Sequence, residues 1–570
     1  MRGRAAVVLV ISLFVSALTG AAASKTRHAR RDAHLFQEQI PAEQRIDQAL
    51  NRLTFGPRPG EAEQVKSTGL KKWIDLQLHP DRMRENPVVA EKLKALDSLA
   101  MSSRDLVQNF PAPQMARQMV NGTLPFPADP NRRILIRKLA ARPQGEQTQR
   151  PDLARLFTPQ QLRELRTGTP EQRLAALQAF PPDQQEELIA DLPPNVLQGL
   201  IPLAPPALRR KLELAAGPQQ VVVRDLAEGK LLRAIYSNRQ LEEVLVDFWY
   251  NHFNVFLDKG ADRYLVTAYE RDVIRPRVLG KFRDLLEATA KSPAMLFYLD
   301  NWQSVGVSAP QAGRGVAVRR GLNENYGREL LELHTLGVDG GYTQKDVTEV
   351  ARCFTGWTIR QPQQGGEFFF NPRMHDRGAK KVLGVTIPAG GGMEDGEKVL
   401  DILARNPATA HFISRKLAMR FVADDPPPAL VDRMAKTFLK TNGDLRAVMK
   451  TMTDSKEFWS VGAYRSKMKS PLEMVASAVR AVNGEVNSAI GLDNQVAQLG
   501  EPLYRKLEPT GYSNSGEEWI NSAGLLARMN FALNLANNRV AGVKIDAAPT
   551  AQPGAPIAGI SLGAPEFQRH

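Results

Sequence analysis

The chain has 570 residues, 43% of them hydrophobic, and a formal net charge of +14. This length suggests two or three domains, and the apolar content excludes a chain that is disordered throughout. The excess of Lys and Arg favours an anionic neighbour, such as a lipid surface, an acidic polysaccharide or an acidic protein. Because Cys353 is the only cysteine, no intrachain disulfide can form.

The first 23 residues have the pattern of a secretory signal. Arg2 and Arg4 precede an apolar run over residues 5–18, and small residues at 21–23 offer a cleavage site. The run is shorter than the roughly 20 residues that span a bilayer. We therefore predict export to the periplasm or the extracellular space, and no integral membrane protein once the signal is removed. An uncleaved membrane anchor is the alternative.

Residues 24–110 are predicted to form an N-terminal helical part. One helix ends at Gly56, where Pro57 and Pro59 break the chain, and another follows over residues 61–78. Residues 111–157, which begin with a stretch rich in Pro and Met, are predicted to be a linker or a loosely packed arm.

Residues 158–218 contain an internal repeat with a period of twelve. Prolines recur at positions 170, 182, 194, 206 and 218, and one apolar column contains Ala176, Leu188, Leu200 and Leu212. Proline suits the first turn of a helix and ends the preceding one. The spacing therefore predicts a run of helices two turns long that are stabilised by stacking. The repeat is interpreted either as a binding arm or as a spacer.

Residues 219–545 are predicted to form the main helical domain. One helical face of residues 240–258 carries an apolar stripe and His252, which directs His252 toward a core or the floor of a cleft. Strand signals at 367–370 and 381–387 predict one small β-hairpin. Residues 546–570 are predicted to be a Pro/Ala/Gly linker with a short C-terminal element. The predicted fold class is mainly α, a multi-helical domain with one small β-hairpin and an inserted short-helix repeat.

The densest group of polar side chains lies in residues 322–357, which are predicted to form two amphipathic helices joined by a glycine turn. Thr343 and Asp346 suit a capping box at the start of the second helix, so local structure explains them. Three polar side chains before the turn have no such explanation, and carboxylates with an imidazole can perform acid–base catalysis or bind a metal. The predicted catalytic candidates are Glu329, Glu332 and His334.

A metal site on this helix would need ligands from elsewhere in the chain. The predicted metal ligands are His252, His375 and Asp376, of which the last two lie in a loop between the predicted strands. Three amides complete the predicted polar cluster: Asn254, Asn323 and Asn325. A divalent metal is the cofactor that these residue types suggest. The alternative interpretation is a buried polar network that fixes how the helices pack.

Several segments resemble a family of bacterial proteins. They are FWYNHFN at 248–254, AKSPAML at 290–296, residues 322–357, HDRG at 375–378, KSPLE at 469–473, LARMNF at 526–531, PEFQ at 565–568 and, near the N-terminus, LTFG at 53–56 with WIDLQ at 73–77. The chain resembles the family catalogued as domain of unknown function 1800 over about residues 45–100 and 230–570, with the twelve-residue repeat as an insertion.

This resemblance implies a predominantly helical, often exported protein that is frequently encoded beside a second exported family with a sulfatase-like appearance. It implies no established activity, so it assigns no catalytic residue. Tyr250 stands where the resemblance leads us to expect histidine, which weakens any metal site that uses this position.

Two functions follow as hypotheses. The first is an exported binding or assembly partner of another exported protein, of the sulfatase-like kind, at the cell envelope. The alternative is a metal-assisted hydrolase of an anionic envelope or polysaccharide substrate, centred on His334, Glu329 and Glu332. Since the sequence has no zinc-finger spacing and no RNA-binding signature, nucleic acid is not a predicted partner.

Overall fold

A computed structural model describes residues 34–141, 158–181, 194–306, 321–520, 522–545 and 558–570, with single positions at 185, 188, 189 and 192. The predicted signal at residues 1–23 lies outside these ranges. Within them, no helix combines the length and the apolar character that crossing a membrane requires. The predicted mainly α fold class is confirmed.

The N-terminal part consists of short helices. Their bounds are Gln44–Leu53, Glu61–Thr68, Leu70–Leu78, Pro87–Leu93, Ser103–Asn109, Pro113–Val120 and Pro130–Ala141. The last two lie in the segment predicted to be a linker, and they pack on each other around a small apolar core that includes Ala116, Met119 and Ile136. Residues 142–157 of that segment lie outside the described residues.

The twelve-residue repeat folds into short helices, as the proline spacing predicts. Their bounds are Pro159–Thr167, Pro170–Gln178, Pro194–Leu200 and Pro206–Ala216, followed by the longer Pro218–Tyr236. Thr169 forms a capping box with Gln172 and places Pro170 in the first turn. The predicted apolar column is buried in a core of the repeat's own, which contains Ala176, Leu188, Leu200 and Leu212.

The main domain is a set of packed helices around one large core. Their bounds are Gln240–His252, Asp262–Ala268, Phe282–Ala290, Pro293–Tyr298, Asn325–Glu329, Gln344–Cys353, Glu394–Ala404, Pro407–Phe421, Pro428–Lys440, Leu445–Thr453, Pro471–Ala481, Ile490–Gln498, Ser522–Ala536, Ala558–Gly563 and Pro565–Gln568. Two π-helical segments continue preceding helices, Tyr269–Ile274 and Leu330–Thr335. The large core extends from Ala49 to Leu562 and so joins the N-terminal helices to the main domain.

Within the described ranges, the strands form three two-stranded antiparallel sheets in place of the one predicted hairpin. Strand Glu367–Phe370 pairs with Trp357–Arg360, Lys380–Val382 pairs with Val385–Ile387, and Glu485–Val486 pairs with Val543–Lys544. The two predicted strand segments therefore belong to different sheets. The prediction missed this because Trp357 was placed at the end of a helix that stops at Cys353.

Candidate functional site

The predicted site begins on a helix that changes its winding. Asn325–Glu329 is α-helical, and the chain then widens into the π-helical segment Leu330–Thr335. The Leu336 N–H donates to the Leu331 carbonyl, five residues back. Single π turns inside α-helices occur often at functional sites. Here Glu329 precedes the wider π-helical segment, and Glu332 and His334 lie within it.

His334 is buried against His252. Only 1% of His334 and 2% of His252 is exposed, and their ring centroids lie 6.3 Å apart. The His252 Nε2 lies 3.1 Å from the His334 carbonyl oxygen. Burial, and then the charge of Lys416, lower the pKa of His334 to about 3, and the same causes lower the pKa of His252 well below its usual value. Both rings are therefore neutral at pH 7.

Glu329 and Glu332 lie on the other flank of this helix and are partly exposed. The Tyr342 hydroxyl donates to Glu332 at 3.2 Å. Burial, and then the charge of Glu332, raise the pKa of Glu329. Among the described residues, no hydrogen bond or ion pair joins either carboxylate to His334.

His375 and Asp376 belong to a third location. The His375 Nδ1 lies 2.7 Å from the Thr355 carbonyl oxygen, and its Nε2 lies 3.2 Å from an Asp395 oxygen. Asp376 binds the Arg352 guanidinium at 3.0 and 3.2 Å. Burial would raise the pKa of Asp376, but its bond with Arg352 and a backbone N–H lower it overall. These contacts attach the loop to the helix Gln344–Cys353.

The side chains of the three predicted amides donate to backbone carbonyls. Asn254 donates to the carbonyls of Lys506 and Glu508, both at 2.9 Å. Asn323 donates to the Asp300 carbonyl, and Asn325 donates to the Leu299 carbonyl at 3.4 Å. No three His, Cys, Asp or Glu side chains of the described residues are arranged to hold a metal ion. The structure thus distributes the predicted cluster over separate sites.

A different set of side chains meets in what we call the polar cleft. It consists of two adjoining cavities of about 30 and 10 Å³, and both are lined by Asp247, Asn251, Glu501 and Tyr512. Asp247 and Asn251 project from the helix Gln240–His252, which also carries His252 on its buried face. The two cavities have room for roughly three water molecules.

Asp247 contacts a buried cation. Lys230 lies 3.1 Å from Asp247 and 3.3 Å from Glu270, and its ammonium is 4.8 Å from the centre of the Tyr504 ring. Burial alone would lower the pKa of Lys230, but Glu270 and then Asp247 raise it. The Tyr504 hydroxyl donates to Glu270 at 2.7 Å. Asp247 therefore connects this buried ion-pair network to the cleft.

Glu501 carries a proton in the same cleft. Only 3% of the residue is exposed, and one of its oxygens accepts a hydrogen bond from the Leu472 N–H at 2.8 Å. Burial, and then the charge of Asp247, raise its pKa to about 8. Glu501 and Asp247 thus line the same small polar space.

The remaining lining residues of the larger cavity supply charge and aromatic surface. Arg420 pairs with Glu473 at 2.6 Å, and Lys467 pairs with Asp424, so these charges balance one another. Two half-buried aromatic residues, Tyr512 and Trp519, flank the cavity with ring centroids 6.1 Å apart. Of the predicted site residues, only Asn254 lines this cleft, at the smaller cavity. Sequence analysis missed the rest, for which a further local signal is Asp247, a carboxylate among the apolar residues of 244–250.

A larger groove of about 470 Å³ lies beside the π-helical segment Tyr269–Ile274. Its lining is largely apolar and includes Leu265, Val273 and Phe368. Arg271 binds Asp272 at 2.6 Å and donates to two backbone carbonyls, so the charges of this pair are engaged. The groove offers more space than the polar cleft, but fewer groups suited to proton transfer.

Comparison with known families identifies the chain. Residues 48–564 match the model of the family described as a protein of unknown function (DUF1800). The chain belongs to this family. Neither a curated protein nor a solved structure matches it. The match spans the twelve-residue repeat and does not divide the chain into domains. The predicted domain boundaries therefore remain predictions.

In this DUF1800 protein, Tyr250 lies at the smaller cavity of the polar cleft. Its hydroxyl donates to the Val255 carbonyl at 2.7 Å, and its ring meets Tyr504 edge-on at 4.9 Å. The position that was expected to hold histidine therefore holds a buried aromatic residue, on the opposite side of its helix from His252.

Proposed function

We propose that this is an exported binding protein of the cell envelope that binds a polysaccharide on the surface beside the polar cleft, against Tyr512 and Trp519. The observation that carries the proposal is the pairing of Tyr512 and Trp519 with a cavity of charge-balanced hydrogen-bonding groups. Pyranose rings present apolar C–H faces, which pack on aromatic rings, and hydroxyl edges, which bind carboxylates, amides and guanidinium groups. The aromatic and polar parts of the cleft match these two parts of a sugar.

The proposed location and ligand charge are supported by the sequence. The signal-like N-terminus supports export, and the net charge of +14 supports an acidic polysaccharide or another anionic surface at the envelope. Because the charges in the cleft balance, the excess of Lys and Arg would act through the rest of the surface, by attracting an anionic polymer at long range.

Titration of the mature protein with alginate, hyaluronate and solubilised peptidoglycan, followed by tryptophan fluorescence and calorimetry, tests this proposal. We expect at least one polymer to bind, and Trp519→Ala to weaken that binding about tenfold, as loss of a central aromatic contact does. Trp459→Ala, which alters a half-buried tryptophan outside the cleft, should leave the affinity unchanged. Absence of binding to all three polymers, or equal losses in both variants, would contradict it.

Assembly with a second exported protein, of the sulfatase-like kind, is part of the same proposal. It is supported by an exposed apolar stripe on the helix Ser522–Ala536, where Leu526, Met529 and Leu533 are 60%, 51% and 41% exposed. Such contiguous apolar residues often mark protein interfaces. The second exported protein, encoded beside this one, should co-purify with the wild type but not with Leu526→Lys. Equal recovery in both would remove this surface from the proposal.

No contact among the described residues supports the alternative function, a metal-assisted hydrolase centred on His334, Glu329 and Glu332. Elemental analysis of the purified mature protein decides it directly. A stoichiometric divalent metal that is lost in His334→Ala would establish the metal site.

A further inference from the structure

We propose that a two-helix hairpin of the N-terminal part docks on an anionic lipid bilayer through the outer face of its second helix. The hairpin, here called the basic hairpin, consists of the helices Pro113–Val120 and Pro130–Ala141, which pack on each other. It shares no residue with the polar cleft. The docking is therefore independent of the proposed polysaccharide binding.

Positive charge is concentrated in the basic hairpin. Residues 113–141 include five Lys or Arg side chains and a single acidic one, Asp129. The second helix, PNRRILIRKLAA, contains four of these cations and no acid. Clusters of at least four Lys and Arg on an amphipathic helix are typical of binding to anionic lipids. Because a helix of 12 residues is too short to span a bilayer, it would lie along the membrane surface.

The inner face of the second helix is fully used by the protein. Ile136 and Leu139, which are 1% and 8% exposed, lie in one apolar core with Met119 of the first helix. Arg132 is half-buried and pairs with Asp97 at 2.7 Å. These contacts hold the helix against the rest of the chain, so its opposite face is presented to the surroundings in a fixed orientation.

The outer face combines three cations with an apolar centre. Arg133, Arg137 and Lys138 are exposed, and Ile134 is 53% exposed. At 3.6 residues per turn these four positions cover about 140° of the helix, with Ile134 between the two arginines and the lysine. Arg133 donates to the Pro127 carbonyl at 2.6 Å. No ion pair among the described residues engages any of the three cations, so their charge is available to an anionic partner.

The apolar centre favours a bilayer over an acidic polymer. Lys and Arg stems can lie along apolar surface while their charges stay at the level of the lipid phosphates. A polysaccharide would bind the cations but leave Ile134 in water. The half-buried Phe126 lies beneath Arg137, at 5.5 Å from the guanidinium to the ring centre, and adds aromatic surface beside this face. We therefore expect Ile134 to enter the boundary between headgroups and acyl chains.

Flotation of the mature protein with lipid vesicles tests the docking. We expect binding to vesicles of equal parts phosphatidylglycerol and phosphatidylcholine, and no binding to phosphatidylcholine alone. Added salt should weaken the binding, because the cations are exposed. A triple variant with Arg133→Gln, Arg137→Gln and Lys138→Gln should bind about 100-fold more weakly, since each cation near an anionic surface contributes about fivefold.

The matched control removes the same charge from another exposed surface. Lys66→Gln, Lys71→Gln and Lys72→Gln alter the neighbouring helices Glu61–Thr68 and Leu70–Leu78. This triple variant should keep the wild-type affinity, and both triple variants should melt like the wild type by circular dichroism. Absence of binding to the anionic vesicles, or equal losses in the two triple variants, would overturn the docking of the basic hairpin.

Ile134→Gln separates a bilayer from an acidic polymer. It should weaken vesicle binding about tenfold, as loss of one inserted aliphatic side chain does, and leave binding to alginate unchanged. An environment-sensitive fluorophore on Ile134→Cys should brighten on anionic vesicles; the native Cys353 is buried. Unchanged vesicle affinity in Ile134→Gln, or unchanged fluorescence, would assign the outer face to an acidic polymer or protein. Trp519→Ala should bind vesicles like the wild type, which separates this surface from the polar cleft.

Discussion

Two regions of this protein meet at the helix Gln240–His252 and differ in what surrounds their polar groups. On one face, His252 lies with His334 among aromatic rings, and both imidazoles have a buried nitrogen with no hydrogen-bond partner. On another face, Asp247 reaches a water-sized space that also receives Glu501. One helix thus separates a closed histidine pair from an open polar cleft.

A segment with many polar residues in the sequence need not form an accessible site in the folded protein. The histidine pair comes from the segments in which sequence patterning is strongest, and burial makes its rings neutral and inaccessible. The cleft combines residues from the region of Lys230 to that of Trp519, and of the predicted site residues only Asn254 lines it. Its chemistry arises only when the chain folds.

The largest effect should come from adding a Cβ atom at Gly511, where the loop of residues 511–514, here called the cleft loop, contacts the helix Gln240–His252. Gly511 has φ +68°, and a Cβ atom there would overlap the Asn251 carbonyl. Tyr512, next in the chain, donates its N–H to the Asn251 side chain at 3.1 Å. Gly511→Ala should therefore lower the free energy of unfolding by about 3 kcal/mol, through strain and overlap together, in urea denaturation.

Gly60→Ala is the matched control, because Gly60 also has a positive φ, +78°, but a Cβ atom there meets open space. It should cost only about 1 kcal/mol of backbone strain. Equal losses in the two variants would show that the cleft loop does not press on the helix as the structure indicates. Gly511→Ala should also weaken polysaccharide binding, since it displaces Tyr512.

Local signals in the sequence predicted local structure, and contacts between distant residues determined the rest. The capping box of Thr343 and Asp346 was predicted correctly because its partners are three residues apart. The strand at 367–370 was found, but its partner at 357–360 was not, since pairing depends on the fold. Glu501 was missed for the same reason. Its raised pKa comes from burial and from Asp247, which is more than 250 residues away.

Acid should destabilise the closed region. The pKa values of His252 and His334 are lowered in the folded protein, mainly by burial, so the unfolded chain binds more protons below its own pKa of about 6.5. Stability is therefore complete above that pH and is lost as the pH falls toward about 3. At pH 5 His334, whose pKa is lowered to about 3, should cost about 2 kcal/mol in urea unfolding at fixed ionic strength, and His252 acts in the same direction.

His334→Phe removes one of the two titrations without placing a charge in the core, and it should reduce the slope of stability against pH between 7 and 5. His411→Gln, an exposed histidine on the helix Pro407–Phe421, should leave that slope unchanged. If the wild-type free energy of unfolding does not change between pH 7 and pH 5, then His252 and His334 can bind protons in the folded protein.

Alkali should have the opposite effect on the open region. The pKa of Glu501 is raised to about 8, so the folded protein binds more protons than the unfolded chain, and stability is lost as the pH rises from about 4.5 to about 8. Glu501→Gln removes this loss. The free energy of unfolding of this variant, relative to that of the wild type, should therefore increase between pH 5 and pH 8.5 in urea unfolding. A difference that stays constant over this range would argue against a protonated Glu501.

The smallest effect should come from the two carboxylates that the sequence placed at the centre of the site. Glu329 has no hydrogen bond or ion pair among the described residues, and Glu332 accepts only the Tyr342 hydroxyl, at 3.2 Å. Glu329→Gln and Glu332→Gln should each change the free energy of unfolding by less than about 0.5 kcal/mol, because partly exposed groups with few partners contribute little. Polysaccharide binding should stay at the wild-type level in both variants. If either variant loses binding while its melting curve is unchanged, the partly exposed flank of the π-helical segment is a binding surface.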